Sequence, residues 1–517
     1  MTDKKSGDGG DLKYKIERSD RVGRYLVAAK SLEAGEVILE ELPFVVGPKA
    51  ASYPCCLGCY SPWPPVPVEG DGTPAGPLCP DCGWPVCGDE CARVSQHRDY
   101  ECRVFAEAKE RFNVQEALGC DRAQGVPHLE CVTPLRLLLA SEKDKVRWES
   151  EVSCMESHDK ERREKPQWQA DQVNVVEYIR NRLKLDRFSE ELIQRCCGIL
   201  EINNHEIRTS RGFLARGLYP RVSIMNHSCV SNTAHSCDPA PGADFRVQLR
   251  AAVRVAAGAE LTGSYTHALL PTMLRRQHLA EGKYFDCACT RCSDPSELGT
   301  HMSSLKCNKC DNGLVLPLDS LDPESQWKCT HCDFSTSGQA VRRVQTIIHA
   351  DMEQAEAYTA ADGPEAIQLR ESFMKKYHSV LHPRHALLTI PRFSLAQLYG
   401  RVEEYFLDDL PDVVLEHKIE LCRLCLQVLD KVEPGLQRSR GMMLYELHAP
   451  LLFIAKGQWS AGAIDAPTLK SKMTEAAQIL KEAADILCLE PAATPEAEIG
   501  QGAKLALEQL NKSIADL

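Results

Sequence analysis

Clustered cysteines dominate the chemistry open to this chain. Between Cys56 and Cys102 the order is C-x2-C (Cys56, Cys59), C-x2-C (Cys79, Cys82) and C-x3-C (Cys87, Cys91), then His97 and Cys102. These eight residues suit two tetrahedral zinc sites, because zinc prefers four sulfur or nitrogen ligands. Spacing alone does not say which pairs share an ion. Cys287, Cys289 and Cys292 give three more thiolates and demand a fourth from elsewhere, for which Cys229, in the tetrapeptide NHSC, is the best candidate. Cys307, Cys310, Cys329 and Cys332 form a C-x2-C, C-x2-C ribbon. Four zinc ions are therefore expected, and a tract as poor in apolar residues as 56–102 needs them to fold at all. Cys55 is left spare; Cys422 and Cys425 repeat the spacing on a helical pattern without partners and read as core.

The same ligand sets exclude a hydrolytic metalloenzyme. There is no H-E-x-x-H, and each set closes with four protein ligands, leaving no position for water. The net charge of -12 argues against a surface that clings to nucleic acid throughout. From Cys55 to Cys102 there are seven acidic and two basic residues, so direct nucleic-acid binding is disfavoured there and protein partners are favoured. No apolar leader opens the chain and no apolar run reaches the roughly 18 to 20 residues that span a bilayer. With 25 cysteines in 517 residues, that pattern suggests a reducing compartment, cytoplasmic and/or nuclear, with no membrane association.

The elements that must hold these residues follow from the patterning. Residues 1–13 read as a disordered arm. From Tyr14, short strands are expected on either side of a turn at Glu33 to Glu36. The Pro/Gly stretch SPWPPVPVEGDGTPAGP reads as an exposed loop, and helical patterns run from about Arg103 to Cys197. FRVQLRAAVRV alternates along one strand from Phe245 to Val255, and ELTGSY (Glu260 to Tyr265) reads as another. Beyond Gln339 the chain reads as helices only, one of which places Leu415, Ile419, Cys422, Leu426 and Leu429 on a single stripe.

The opening CLGC, VCGDEC and the closing His97 and Cys102 resemble a MYND finger. The resemblance implies that Cys56, Cys59, Cys87 and Cys91 hold one ion, and Cys79, Cys82, His97 and Cys102 the other. NHSC, ELTGSY and FDCACTRC together resemble a SET domain with its post-SET zinc loop. A finger placed after the first SET strands narrows the likeness to the SMYD family, and VGRYLVAAKSLEAGEVILEE, RCSDPSELGT and the extra ribbon are most similar to its arthropod SmydA branch. The implied fold is α+β and multidomain: a β-rich SET domain split by the finger and a helical insert, then zinc loop, ribbon and an all-α C-terminal domain. The boundaries expected are 14–54 for the first SET part, 55–102 for the finger, 103–202 for the insert and 203–286 for the SET core. The zinc loop follows at 287–300, the ribbon at 301–336 and the helical domain at 337–517.

That likeness implies methyl transfer from S-adenosylmethionine to a protein lysine, with the chain acting as a monomer. Tyr265 would line the lysine channel, and Tyr284 lies near a second channel tyrosine, offset by one residue. Asn226 and His227 would meet the cofactor, Phe285 would stack near its adenine, and Gly23, Arg24 and Tyr25 would form the turn over which it lies. Asn203 stands where the family has an asparagine at the cofactor's amino-acid end, although Asn204 could be meant. Tyr25 replaces a common glycine and Ser231 a common proline. The competing reading is an adaptor, catalytically weak or silent, whose finger takes a proline-containing peptide.

Overall fold

The computed structural model describes residues 12–64, 76–119, 126–209, 213–240 and 242–517. The expected arm up to residue 11, and the centre of the Pro/Gly loop at 65–75, lie outside the described residues. In the first part, β1 (Tyr14–Ser19) and β2 (Gly23–Ala28) pair antiparallel through a turn in which Gly23 sits at φ +71. That left-handed conformation costs glycine little. The turn expected at Glu33 to Glu36 forms, closed by the Glu36 amide on the Glu33 carbonyl at 3.1 Å. It leads into β3 (Val37–Glu41) and then β4 (Val45–Gly47).

The chain leaves the sheets for the first cysteine block and a set of helices. The Val132–Lys143 helix is buried continuously from Val132 to Ala140, wedged against the end of β4 by the Thr133 hydroxyl on the Pro48 carbonyl at 2.8 Å. Ser189 caps the Glu190–Asn203 helix by accepting the Leu192 amide at 3.2 Å, and this helix feeds the returning strands. These are β5 (Asn204–Arg208), β6 (Leu214–Leu218), β7 (Asn226–His227), β8 (Thr233–Cys237), β9 (Val247–Ala251) and β10 (Thr262–Gly263). They complete sheets ordered β4-β6-β5 and β3-β9-β8 and a parallel pair β7-β10. Leu26, Leu39, Val46, Ile207, Tyr219 and Leu249 meet in the core between them.

Both strands expected late in this region are shorter than the alternation suggests. Val247, Leu249 and Ala251 are buried while Gln248 and Arg250 are half-exposed, as a one-sided strand requires. The regular stretch begins only after Asp244 and Phe245, which sit at φ +50 and +55. It ends at Ala251, beyond which Val255 only bridges Leu32. In ELTGSY, Glu260 bridges Val27, Leu261 bonds Leu26, and the Tyr265 amide goes to a side chain, leaving Thr262 and Gly263 for β10.

β11 (Leu305–Lys306), β12 (Leu314–Pro317), β13 (Gln326–Cys329) and β14 (Ser335–Ser337) form an antiparallel meander. Seven helices of ten or more residues follow, from Gly338–Glu356 to Pro495–Ala515. On Asp412–Val432, Leu415, Ile419, Cys422 and Leu429 are buried and Leu426 packs at the margin, while Cys425 is buried beside them. Cys422 and Cys425 belong to none of the clustered ligand sets among the described residues. The α+β expectation holds, and the helical half is sewn directly to the sheets. The Leu436 amide donates to Ala252 O at 2.9 Å, and Gln437 Nε2 donates to Thr233 O at 3.1 Å. Gly435, at φ +79, has no room for a side chain: a Cβ there would lie 2.1 Å from Ala252 O.

His385 caps the Ala386–Leu398 helix, its Nδ1 accepting the Leu387 amide at 3.1 Å. Desolvation pushes its pKa down to about 4. The folded imidazole stays neutral where the unfolded one, near 6.5, takes up a proton. Its contribution is therefore complete above pH 6.5 and is lost as pH falls towards 4, by about 2 kcal/mol at pH 5. Replacing His385→Asn, which retains a capping acceptor, should flatten urea-derived stability between pH 6.5 and 5 by that amount. An unchanged slope would remove His385 as the cause.

Candidate functional site

The cysteines separated in sequence meet in space. Ligand atoms lie within 4.8 Å of one another in four groups: Cys56, Cys59, Cys87, Cys91; Cys79, Cys82, His97, Cys102; Cys229, Cys287, Cys289, Cys292; and Cys307, Cys310, Cys329, Cys332. Cys59 and Cys87 sulfurs are 3.6 Å apart, Cys79 and Cys102 3.7 Å, and Cys310 and Cys329 3.7 Å. Sulfurs on a tetrahedral zinc at Zn–S about 2.3 Å stand roughly 3.8 Å apart, so the sets fit that ion; a disulfide would need about 2.05 Å. Cys55, the spare neighbour, falls outside them.

The second group carries an outer layer that its spacing did not announce. His97 Nδ1 meets Glu101 Oε1 at 2.7 Å, which leaves Nε2 to face Cys82 Sγ at 3.6 Å. Arg136, from the Val132–Lys143 helix, clamps Glu101 at 2.5 and 2.7 Å and also bonds the Leu57 and Val46 carbonyls and the Tyr60 hydroxyl. Burial opposes ionisation of Glu101, but Arg136 and His97 hold its pKa below the ordinary value. A carboxylate behind a ligating histidine fixes its tautomer and orientation. Glu101→Gln leaves Arg136 buried without its counter-charge, so a loss of about 3 to 5 kcal/mol is expected. Chemical denaturation would measure it; a loss below 1 kcal/mol would contradict the assignment.

Around the third group the charges are equally buried. Arg275 donates to Cys229 Sγ at 3.3 Å and pairs with Glu297 at 2.8 Å, and Arg291 meets the same carboxylate at 3.0 Å. Despite desolvation, the two guanidiniums pull Glu297 down to about 2. Sequence reading missed Glu101, Arg136, Arg275 and Glu297. A charged residue inside an otherwise apolar helix, as Arg136 is, was the available signal.

Cys287 and Cys289 of this group also border a cavity of about 1660 Å³. The β1–β2 turn, β5, Met225 to His227, Gly263 to His267 and Lys283 to Cys289 line it, and Cys154 to Glu156, His158, Arg438 and Pro495 close it from other elements. His227 links the two features: its Nε2 lies 3.2 Å from Cys229 Sγ, and its Nδ1 accepts the Tyr265 amide at 2.9 Å. The imidazole proton therefore sits on Nε2, directed at the sulfur. Tyr265 donates its hydroxyl to Met225 O while its ring packs 5.2 Å from His227 and edge-on to Phe285 at 6.4 Å. Desolvation raises its pKa to about 12, so the phenol stays protonated at neutral pH. Asn226 Nδ2 donates to Glu260 at 2.7 Å, and Asn232 staples β10 by accepting the Thr262 amide at 2.8 Å.

Gly23, Arg24, Asn203, Asn204, Asn226, His227, Tyr265, Tyr284 and Phe285 thus all border one cavity. Tyr25 does not. Its side chain lies across from Glu17 on β1, to which its hydroxyl donates at 3.1 Å, so it neither lines nor blocks the cavity. Asn203 and Asn204 both reach the wall, with Asn203 Nδ2 bonded to Glu156 O at 2.8 Å. Ser231 packs inward toward Gln437 instead of facing the cavity. Beyond a Cβ on Gly23 there is open space, enough for a ligand to approach the backbone. His205 Nδ1, Thr266 Oγ1, Tyr284 OH and Arg438 Nε are buried in this wall without a hydrogen-bonding partner among the described residues. Such a wall suits a ligand with several polar groups.

A SET domain profile matches residues 23–266. The SET domain-containing protein SmydA-8, isoform A, of Drosophila melanogaster is 30% identical over 338 residues, covering 63% of this chain and 67% of its own. Histone-lysine N-methyltransferase ASHR1 of Arabidopsis thaliana is 25% identical over 443 residues, covering 82% of this chain and 83% of its own. Human histone-lysine N-methyltransferase SMYD1 is 29% identical over 116 residues, covering 20% and 24%.

Proposed function

Because the chain belongs to the SMYD family of SET-domain proteins, on its SmydA-like branch, we propose that it transfers a methyl group from S-adenosylmethionine to a lysine of another protein. The observation that carries the reading is the single cavity on which Tyr265, His227, Asn226, Phe285, Gly23 and Arg24 converge. When bound, the cofactor supplies a methyl already activated on a sulfonium. Gly23 and Arg24 would support it along the turn, Asn203 or Asn204 with Asn226 and His227 would take its polar groups, and Phe285 would meet its adenine.

Tyr265 would orient the incoming amine. Its protonated hydroxyl and the Met225 carbonyl beside it can hold a neutral amine in line, and the aromatic rings exclude water, which favours the uncharged nucleophile. Zinc would serve structurally: the third thiolate set ties Phe285 and His227 to one anchor. We read 55–102 as a MYND finger with a proline-containing peptide as partner, and 203–286 as the SET core. With this reading goes a cytoplasmic and/or nuclear residence, which the many reduced cysteines support.

Calorimetry on the zinc-loaded chain tests the reading. Binding of both S-adenosylmethionine and its demethylated product is expected. No heat with either at high micromolar concentration would leave an adaptor as the better description.

A further inference from the structure

The end of the Thr272–Lys283 helix brings the chain's own amine to the proposed reaction site. Tyr284 caps that helix in the left-handed conformation, at φ +60, so neighbouring side chains diverge. Tyr284 packs on His158 at 4.6 Å, with Lys165 Nζ 4.2 Å from its ring centre. Lys283 instead runs beside Tyr265, its Nζ 5.8 Å from that ring centre and 2.5 Å from Ile202 O, to which it donates. It is the one lysine among the described residues lining the cavity; the other permanent cations there are arginines, which do not act as nucleophiles. No carboxylate among the described residues forms an ion pair with it, and desolvation lowers its affinity for a proton. A lysine in such a setting reaches the free-amine form more easily than one in water.

We propose that Lys283 accepts a methyl group from the cofactor within its own chain. The inference rests on the transferase reading above. The lone pair of neutral Nζ attacks the methyl carbon, and the N–C bond forms as the C–S bond breaks. The bonding pair stays on sulfur as a neutral thioether, and the methylated ammonium releases its proton to solvent. No oxidant or second reactant is needed. The Ile202 carbonyl holds one N–H, which limits the directions in which the lone pair can point.

The test uses the full zinc-loaded chain and cofactor carrying a trideuterated methyl, with peptide mapping by mass spectrometry. Heavy label on the peptide containing Lys283 is expected, at a first-order rate independent of protein concentration. Lys283→Arg, which retains a donor for Ile202, should lose that label; zinc content and melting temperature would report whether it folds. A rate that rises with protein concentration would mean transfer between copies and overturn the inference. So would absence of label at Lys283. In that case, heat of cofactor binding together with label on added core histones would leave the transferase reading standing, whereas neither signal would remove both.

Discussion

Stripping zinc from this protein should unfold its cysteine-rich parts outright. Structural zinc contributes on the order of 10 to 16 kcal/mol of apparent free energy per finger site at neutral pH, more than the whole stability of an ordinary domain. The first block has little else to hold it. Cys56, Cys79, Cys82 and Cys102 are themselves its buried centre, supplemented by Trp84 stacked on Phe105 at 4.0 Å. Four zinc ions per chain should be found by elemental analysis. Chelation should release first the ions of the ribbon and of the Cys56 set, in each of which three of the four cysteines are half-exposed, and last the one held by Cys79, Cys82, His97 and Cys102, which are all buried. Loss of the ion between Cys229, Cys287, Cys289 and Cys292 should coincide with loss of cofactor binding. A folded chain that binds cofactor without zinc would refute the assignment.

Tyr265→Phe should lower the single-turnover rate of methyl transfer by roughly 10²-fold, the scale at which small misplacements of reacting groups are felt. Cofactor affinity should change little, because the ring remains against His227 and Phe285 and only the hydroxyl to Met225 O disappears. Stability should fall by about 1 kcal/mol, the worth of one ordinary hydrogen bond. The split between rate and affinity is the informative readout. Equal rates for both proteins would take Tyr265 out of the chemistry, and a tenfold loss of cofactor affinity would make it a binding residue instead.

Much of this was legible because short-range chemistry writes itself into spacing. Pairs such as Cys307 and Cys310 declare a metal loop, and NHSC followed by ELTGSY marks where two short strands meet. Whatever depends on distant partners was not legible. Arg136 meets Glu101 across 35 positions and Leu57 across 79, and nothing local distinguishes it from a surface arginine except its apolar neighbours. Strand ends misled for a related reason. The alternation of Phe245 to Val255 continues past Ala251, but the backbone turns there to bridge Leu32 and leaves the Ala252 carbonyl for the Leu436 amide. Whether Tyr25, standing where a glycine is common, faces the cavity was not legible because one strand's facing cannot be fixed without its neighbour; Glu17 opposite fixes it.

The stitching of Gly435 and Leu436 onto Ala252 bears on how the molecule can be dissected. Arg438 and Glu490, joined at 3.0 Å, supply part of the same wall that β5 and Tyr265 begin. A fragment trimmed to the catalytic-looking half would lose one bank of its own groove and uncover the face now under the helices. Truncations meant to simplify the protein would therefore report on a different, half-open object, and comparisons of specificity are meaningful only on chains that retain the last three helices.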